Sequence, residues 1–215
     1  MKNNSKKHVL SEGIYGITAE RFSKGRTNLE VVEEMIRGGV TTVQYREKKH
    51  LKDVGQMYVE CQQIRELTRK HGITFIINDH VDLALLVDAD GVHVGQEDLP
   101  VEAVRRLIGD DKIIGLSTHN PEQAKQAVTV GADYIGVGPI FTTETKENVC
   151  AAVGLEYLEH IATNCSLPFV AIGGIKEHNI GDIVARGTKT ICLVTEIVGS
   201  KDIASTVVRL RSYFK

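Results

Sequence analysis

The chain has 215 residues, a formal net charge of -2, and 42% hydrophobic against 25% charged residues. That length suits one large domain or two small ones, and the balance excludes a disordered or fibrous polymer. A chain so near neutrality has no broad field for nucleic acid or an anionic membrane, so any phosphate binding must be local.

The opening residues, MKNNSKKHVLSEG, are polar and basic and lack the apolar stretch of a secretion signal, so residues 1–12 read as a frayed tail. No apolar run approaches the roughly 18 residues of a membrane-spanning helix. Cys61, Cys150, Cys165 and Cys192 are widely spaced, which favours reduced thiols in the cytoplasm over a disulfide frame or a zinc site.

Short β-branched runs then alternate with amphipathic segments. Strands are predicted at 14–18, 41–46, 74–78, 91–94, 113–116, 134–137, 169–172 and 190–194, with helices between them, for example over 53–70 and 121–130. Asn120 is a good N-cap before a proline in the first turn, and Gly72 and Gly131 stand where helix C-caps belong. Strand–helix repeats imply parallel strands and right-handed crossovers. Eight such units in one chain of this length predict a single-domain (β/α)8 TIM barrel. An open doubly wound sheet is the competing architecture, disfavoured by the number of units and by the lack of G-x-G-x-x-G after the first strand.

In such a barrel chemistry belongs at the carboxyl ends of the strands. The second strand runs Gln44-Tyr45-Arg46-Glu47-Lys48, and its period of two puts Gln44, Arg46 and Lys48 on one face, with Val43 and Tyr45 on the other. Three long polar side chains facing the axis make sense if Arg46 and Lys48 reach an anion while Gln44 makes a directional hydrogen bond lower down. The third strand ends at Asn78-Asp79, and the fourth leads to Asp98. Adjacent parallel strands lie about 4.8 Å apart, so both carboxylates can meet at one hard cation such as Mg²⁺, with substrate oxygens completing its shell. Each aspartate alone is equally well explained as a helix N-cap. His93, on the fourth strand, reads first as a packed histidine; Ser117, after the fifth, is placed to reach an anion. After the sixth strand, Thr143, Thr145 and Lys146 resemble an anion clamp. The seventh strand ends in Gly173-Gly174 and the eighth runs through Val194-Thr195, and loops after strands seven and eight are the usual phosphate site of this fold. The residues thus predict an enzyme with two anion sites on one rim.

Taken together, Gln44-Tyr-Arg-Glu-Lys48, Asn78-Asp79, Gly91-Val-His-Val-Gly-Gln-Glu-Asp98, Gly115-Leu-Ser-Thr-His119, Gly138-Pro-Ile-Phe-Thr-Thr-Glu-Thr-Lys146 and Ala171-Ile-Gly-Gly-Ile175 resemble the thiamine phosphate synthase family. The resemblance implies condensation of 4-amino-5-hydroxymethyl-2-methylpyrimidine diphosphate with a thiazole phosphate, plain or carboxylated, giving thiamine phosphate and pyrophosphate. It implies that Asp79 and Asp98 hold Mg²⁺ on the diphosphate, and that Arg46, Lys48, Asn78, Ser117 and Lys146 bind and neutralise it. Gln44 and His93 would face the aminopyrimidine. Thr143, Thr145, Gly174, Val194 and Thr195 would take the thiazole phosphate. Two positions depart from the family pattern: Thr142 replaces a usual proline, and Glu196 replaces a common small residue. A carboxylate there is tolerable only if it points away from the bound phosphate. The rival readings are a thiazole tautomerase on the same barrel, using His119 and no metal pair, and a non-catalytic sensor of phosphorylated metabolites. The expected partners are small molecules, with neither nucleic acid nor membrane, and homo-oligomer formation is left open.

Overall fold

The computed structural model describes residues 10–48, 51–145 and 150–214. Eight strands close into a parallel barrel in chain order: β1 (Gly13–Ile17), β2 (Thr42–Tyr45), β3 (Thr74–Asn78), β4 (Gly91–Val94), β5 (Ile113–Thr118), β6 (Tyr134–Val137), β7 (Phe169–Ile172) and β8 (Thr190–Leu193). β8 returns to pair with β1, so no strand edge is left open. Helices α1 (Asn28–Gly38), α2 (Val54–His71), α3 (Val81–Leu86), α4 (Val101–Ile108), α5 (Pro121–Thr129), α6 (Gly154–Asn164), α7 (Ile180–Val184), α8 (Thr195–Val198) and α9 (Ile203–Arg211) follow the strands. Among the described residues no helix is long and apolar enough to cross a membrane.

The predicted boundaries hold to within one or two residues, and the differences have local causes. β2 stops at Tyr45 because the Arg46 N–H leaves the ladder and donates to Thr18 Oγ1 at 2.9 Å. α2 begins after Asp53, not on it: Asp53 accepts from the Gln56 N–H while the Gln56 side chain returns the bond, a capping box. Gly72 ends the helix in a left-handed conformation, φ 67°. Asn120 caps α5 as expected, through the Gln123 N–H.

Two apolar layers result. Tyr15, Ile17, Ile76, Ile113, Tyr134, Val170 and Cys192 fill the barrel interior, and Leu10, just ahead of β1, is buried against them. Leu10 thus departs from the tail expected over 1–12, while Ser11 and Glu12 are exposed and residues 1–9 lie outside the described residues. The larger layer joins the outer faces of the strands to the helices, with Val43, Phe75, Ile77, Val92 and Ile135 wholly buried. At the amino end of the barrel two matching anchors fix neighbouring strands. Asp90, just before β4, accepts from the Phe75 N–H at 2.8 Å and from both Arg65 amino groups at 2.8 and 3.0 Å. Asp133, just before β6, accepts from the Ile114 N–H at 2.8 Å and from Arg105 at 2.5 Å. Carboxylates held this way are fully paired, so their partial burial carries little penalty.

Candidate active site

The carboxyl ends of the strands surround a cavity of about 1060 Å³. Its wall contains Arg46, Lys48, Asn78, Asp79, Asp98 and Ser117 on one side, and Thr143, Thr145, Gly174, Val194 and Thr195 on the other. The structure therefore gathers almost all the residues that the strand ends singled out. Lys146 lies outside the described residues.

The alternation of β2 has the expected sense. The Tyr45 hydroxyl points to the helix layer and donates to Glu60 at 2.6 Å, while Gln44 turns inward and is 3% exposed. Gln44 lies beneath the cavity and is absent from its wall; its amide nitrogen donates to the Tyr15 hydroxyl at 2.8 Å. Two residues further along, Arg46 and Lys48 reach the wall.

Asp79 occupies a left-handed backbone, φ 60°, which costs a non-glycine residue about 1–2 kcal/mol. Its N–H still donates to His93 O at 2.9 Å, so the β3–β4 ladder runs one residue past the strand before the turn. The N-cap of α3 is His80, and that of α4 is Pro100, so neither aspartate serves as a helix cap. The Asp98 carboxylate instead accepts from the Gly95 N–H at 2.7 Å, closing the loop after β4. Lys48 Nζ stands 3.3 Å from Asp79 Oδ2. Burial, then the adjacent Asp98 carboxyl, push the Asp79 acid above its ordinary 3.8, and Lys48 pulls the other way. A pair of crowded carboxyls beside one lysine is short of positive charge. Among the described residues no group of three or more His, Cys, Asp or Glu could hold a metal. Two adjacent carboxyls are a donor set that Mg²⁺ could use, with substrate and water completing its shell.

Behind this group a hydrogen-bonded chain crosses the barrel interior. His93 Nε2 lies 2.9 Å from Ser117 Oγ and Nδ1 lies 2.9 Å from the Tyr134 hydroxyl. Tyr134 continues to the Tyr15 hydroxyl at 2.9 Å, and Tyr15 to Gln44. The His93 and Tyr134 side chains meet across β5 only because Gly115 has none: a Cβ there would sit 2.2 Å from the Tyr134 ring and 2.4 Å from His93 Nδ1. His93 thus both packs and touches the cavity. Tyr15 and Tyr134 are not singled out by the sequence, although their inward parity with Ile17 and Gly136 is readable from the strand period. His119, the residue a tautomerase would use, is bonded through Nδ1 to Gly138 O at 2.6 Å.

On the opposite wall the two threonine hydroxyls lie 3.0 Å apart, in a loop latched to the turn after β1 by an Arg21 donation to Thr145 O at 2.5 Å. The base of that loop packs on the end of β7: Phe141 N–H donates to Gly173 O at 3.0 Å. Gly173 (φ 98°) and Gly174 (φ 63°) are both left-handed, and a Cβ on either would meet Pro139 at 2.4 Å or Phe141 at 2.7 Å. The glycine pair thus admits a protein loop as well as exposing backbone to the cavity. Glu196 does not line the cavity. Its carboxylate contacts Lys176 Nζ at 3.2 Å and accepts from the Glu177 N–H at 3.2 Å. Lys176, which does line the cavity, also donates to Thr195 Oγ1 at 2.8 Å. Sequence alone does not flag it, because a lysine after a Gly-Gly-Ile turn reads as solvated.

The family model for thiamine monophosphate synthase matches residues 14–197. A thiamine-phosphate synthase from Pelotomaculum thermopropionicum is 62% identical over 204 residues, covering 95% of this chain and 93% of its own. One from Caldicellulosiruptor saccharolyticus is 53% identical over 205 residues, covering 95% and 92%. Among solved structures, thiamine phosphate pyrophosphorylase from Pyrococcus furiosus superposes with a TM-score of 0.86 at 35% identity, covering 94% of this chain and 95% of its own. A 3-hexulose-6-phosphate synthase, at 15% identity and a TM-score of 0.68, shares the barrel alone. The matched span runs from β1 into α8 and contains every wall residue named above, so the chain belongs to the thiamine monophosphate synthase family, transferases of thiamine synthesis.

Proposed function

We propose that this chain joins 4-amino-5-hydroxymethyl-2-methylpyrimidine diphosphate to a thiazole phosphate, releasing pyrophosphate and leaving thiamine phosphate. The observation that carries the reading is the division of one cavity into two polar walls, Lys48 with Asp79 and Asp98 facing Thr143, Thr145 and Thr195. One wall suits a metal-bound diphosphate and the other a phosphate monoester.

Asp79 and Asp98 would hold Mg²⁺, which when bound supplies positive charge to the diphosphate oxygens. Arg46 and Lys48 add fixed positive charge on the same side, and Ser117 and Asn78 offer hydrogen bonds to the leaving group. In the proposed sequence the carbon–oxygen bond to diphosphate breaks first, the electron pair leaving with diphosphate. The thiazole nitrogen then donates its lone pair to the pyrimidine methyl cation. No side-chain nucleophile is required, and the barrier is charge building on the leaving group, which a cation-lined site out of bulk water offsets. Gln44, and His93 bonded to Ser117, lie below and beside the point where the aminopyrimidine would sit.

The test is to incubate purified protein with both substrates and Mg²⁺ and to detect thiamine phosphate and pyrophosphate. Binding of both substrates without product would instead support the sensor reading, and interconversion of thiazole isomers without pyrophosphate the tautomerase reading.

A further inference from the structure

We infer that Lys176 is a specificity-determining residue of the acceptor wall, binding the phosphate monoester of the thiazole substrate, with Glu196 as the resident anion that the phosphate replaces. The inference rests on the acceptor reading above and deepens it.

Among the described residues of the cavity wall, the lysines and arginines are Arg46, Lys48 and Lys176, and the first two belong to the Asp79 side. Lys176 stands two residues beyond Gly174, and its ammonium is already bonded to Thr195 Oγ1 at 2.8 Å, on the wall where a phosphate would lie. The backbone beneath it is fixed. Its own N–H donates to Asn179 Oδ1 at 2.7 Å, and Asn179 Nδ2 donates to Gly174 O at 3.1 Å. Only the flexible stem need move for the ammonium to turn from one anion to another.

The side chains of Lys176 and Glu196 are 34% and 25% exposed, so the pair is partly screened and weakly held. Glu196 has a second partner in the Glu177 N–H, which compensates its charge when the ammonium leaves. A phosphate monoester carries more charge than one carboxylate and offers three acceptor oxygens, so it outcompetes Glu196 for the same lysine. Between turnovers Glu196 keeps Lys176 paired and placed beside Thr195. An acceptor lacking phosphate gains nothing from the exchange, which is why the contact selects.

Steady-state kinetics should compare thiazole phosphate with the corresponding thiazole alcohol, using Lys176→Met, Lys176→Arg and Glu196→Gln. Lys176→Met should raise KM for the phosphate about tenfold, the cost of one charge-assisted hydrogen bond at a partly exposed site, with kcat and the KM for the pyrimidine diphosphate held within about twofold. The alcohol should be used equally well by both proteins. Lys176→Arg should restore most of the affinity, and Glu196→Gln should lower KM for the phosphate. An unchanged KM in Lys176→Met, an equal loss against phosphate and alcohol, or a raised KM in Glu196→Gln would overturn the assignment. Calorimetric titration of thiazole phosphate alone into wild type and Lys176→Met decides the point independently of turnover: weaker binding in the variant supports it, and equal binding or none in the wild type defeats it. Failure of catalysis in the wild type would count against the proposed reaction, while the titration would still decide the role of Lys176.

Discussion

The Lys48 ammonium lies 3.3 Å from Asp79 Oδ2, and the Asp98 carboxyl crowds the same aspartate. A carboxyl pair in which one member alone contacts a lysine can take a further positive charge. That arrangement predicts that Asp79→Ala will lose Mg²⁺-dependent pyrophosphate release by on the order of 10²–10³-fold, as other deletions of charge-stabilising groups do. Circular dichroism should show an intact barrel. Wild-type turnover in that variant would remove the metal from Asp79.

The same crowding sets a pH dependence. In the unfolded chain Asp79 titrates near its ordinary 3.8; burial and Asp98 raise it in the folded chain. The folded state therefore holds this proton more tightly, so the group's contribution to stability is full below the ordinary value and is lost as pH rises through the folded pKa. Ligand-free Asp79→Asn should accordingly melt above the wild type at neutral pH, and the gap should close toward acid. Mg²⁺ with pyrophosphate should raise the melting temperature of the wild type and leave the variant where it was. A variant less stable than wild type at neutral pH would contradict the sign.

Tyr134→Phe removes the hydroxyl that both His93 Nδ1 and Tyr15 use. Loss of a buried hydrogen-bonding group costs about 1–3 kcal/mol, which urea unfolding can read directly. Because His93 in turn bonds Ser117, turnover should also fall while the KM for the thiazole phosphate, proposed to bind on the opposite wall, stays near the wild-type value. Full stability in this variant would show that the interior chain contributes nothing.

Gly173→Ala would place a methyl group 2.4 Å from Pro139 on a left-handed backbone. The combined clash and strain should cost about 1–3 kcal/mol. The relief available is displacement of the loop that carries Thr143 and Thr145, so KM for the thiazole phosphate should rise more than that for the diphosphate substrate. Equal changes in both would argue that the loop does not belong to the acceptor wall.

Much of this is legible in the sequence because the barrel obeys two simple periods. Strand spacing locates the eight staves, and strand parity places Gln44 inside with Arg46 and Lys48 above it. What the sequence conceals depends on contacts across the barrel. Tyr15 and Tyr134 are ordinary strand residues until closure brings their hydroxyls within 2.9 Å. Lys176 and Glu196 are 20 positions apart and acquire meaning only when β7 and β8 lie side by side. Asp79 can be read from the sequence as a helix cap; the structure makes His80 the N-cap of α3 instead, and no local rule foretells the left-handed φ of an aspartate before His-Val.

The anchors Asp90 and Asp133 open two similar phrases, Ala-Asp-Gly-Val-His-Val-Gly at 89–95 and Ala-Asp-Tyr-Ile-Gly-Val-Gly at 132–138. The phrases build β4 and β6 from the same starting point, but they trade bulk: Gly91 corresponds to Tyr134, and His93 to Gly136. Both positions share the inward parity of their strands, where the axis has room for a limited number of side chains. The two phrases are thus complementary in bulk, and the His93–Tyr134 hydrogen bond joins them across Gly115.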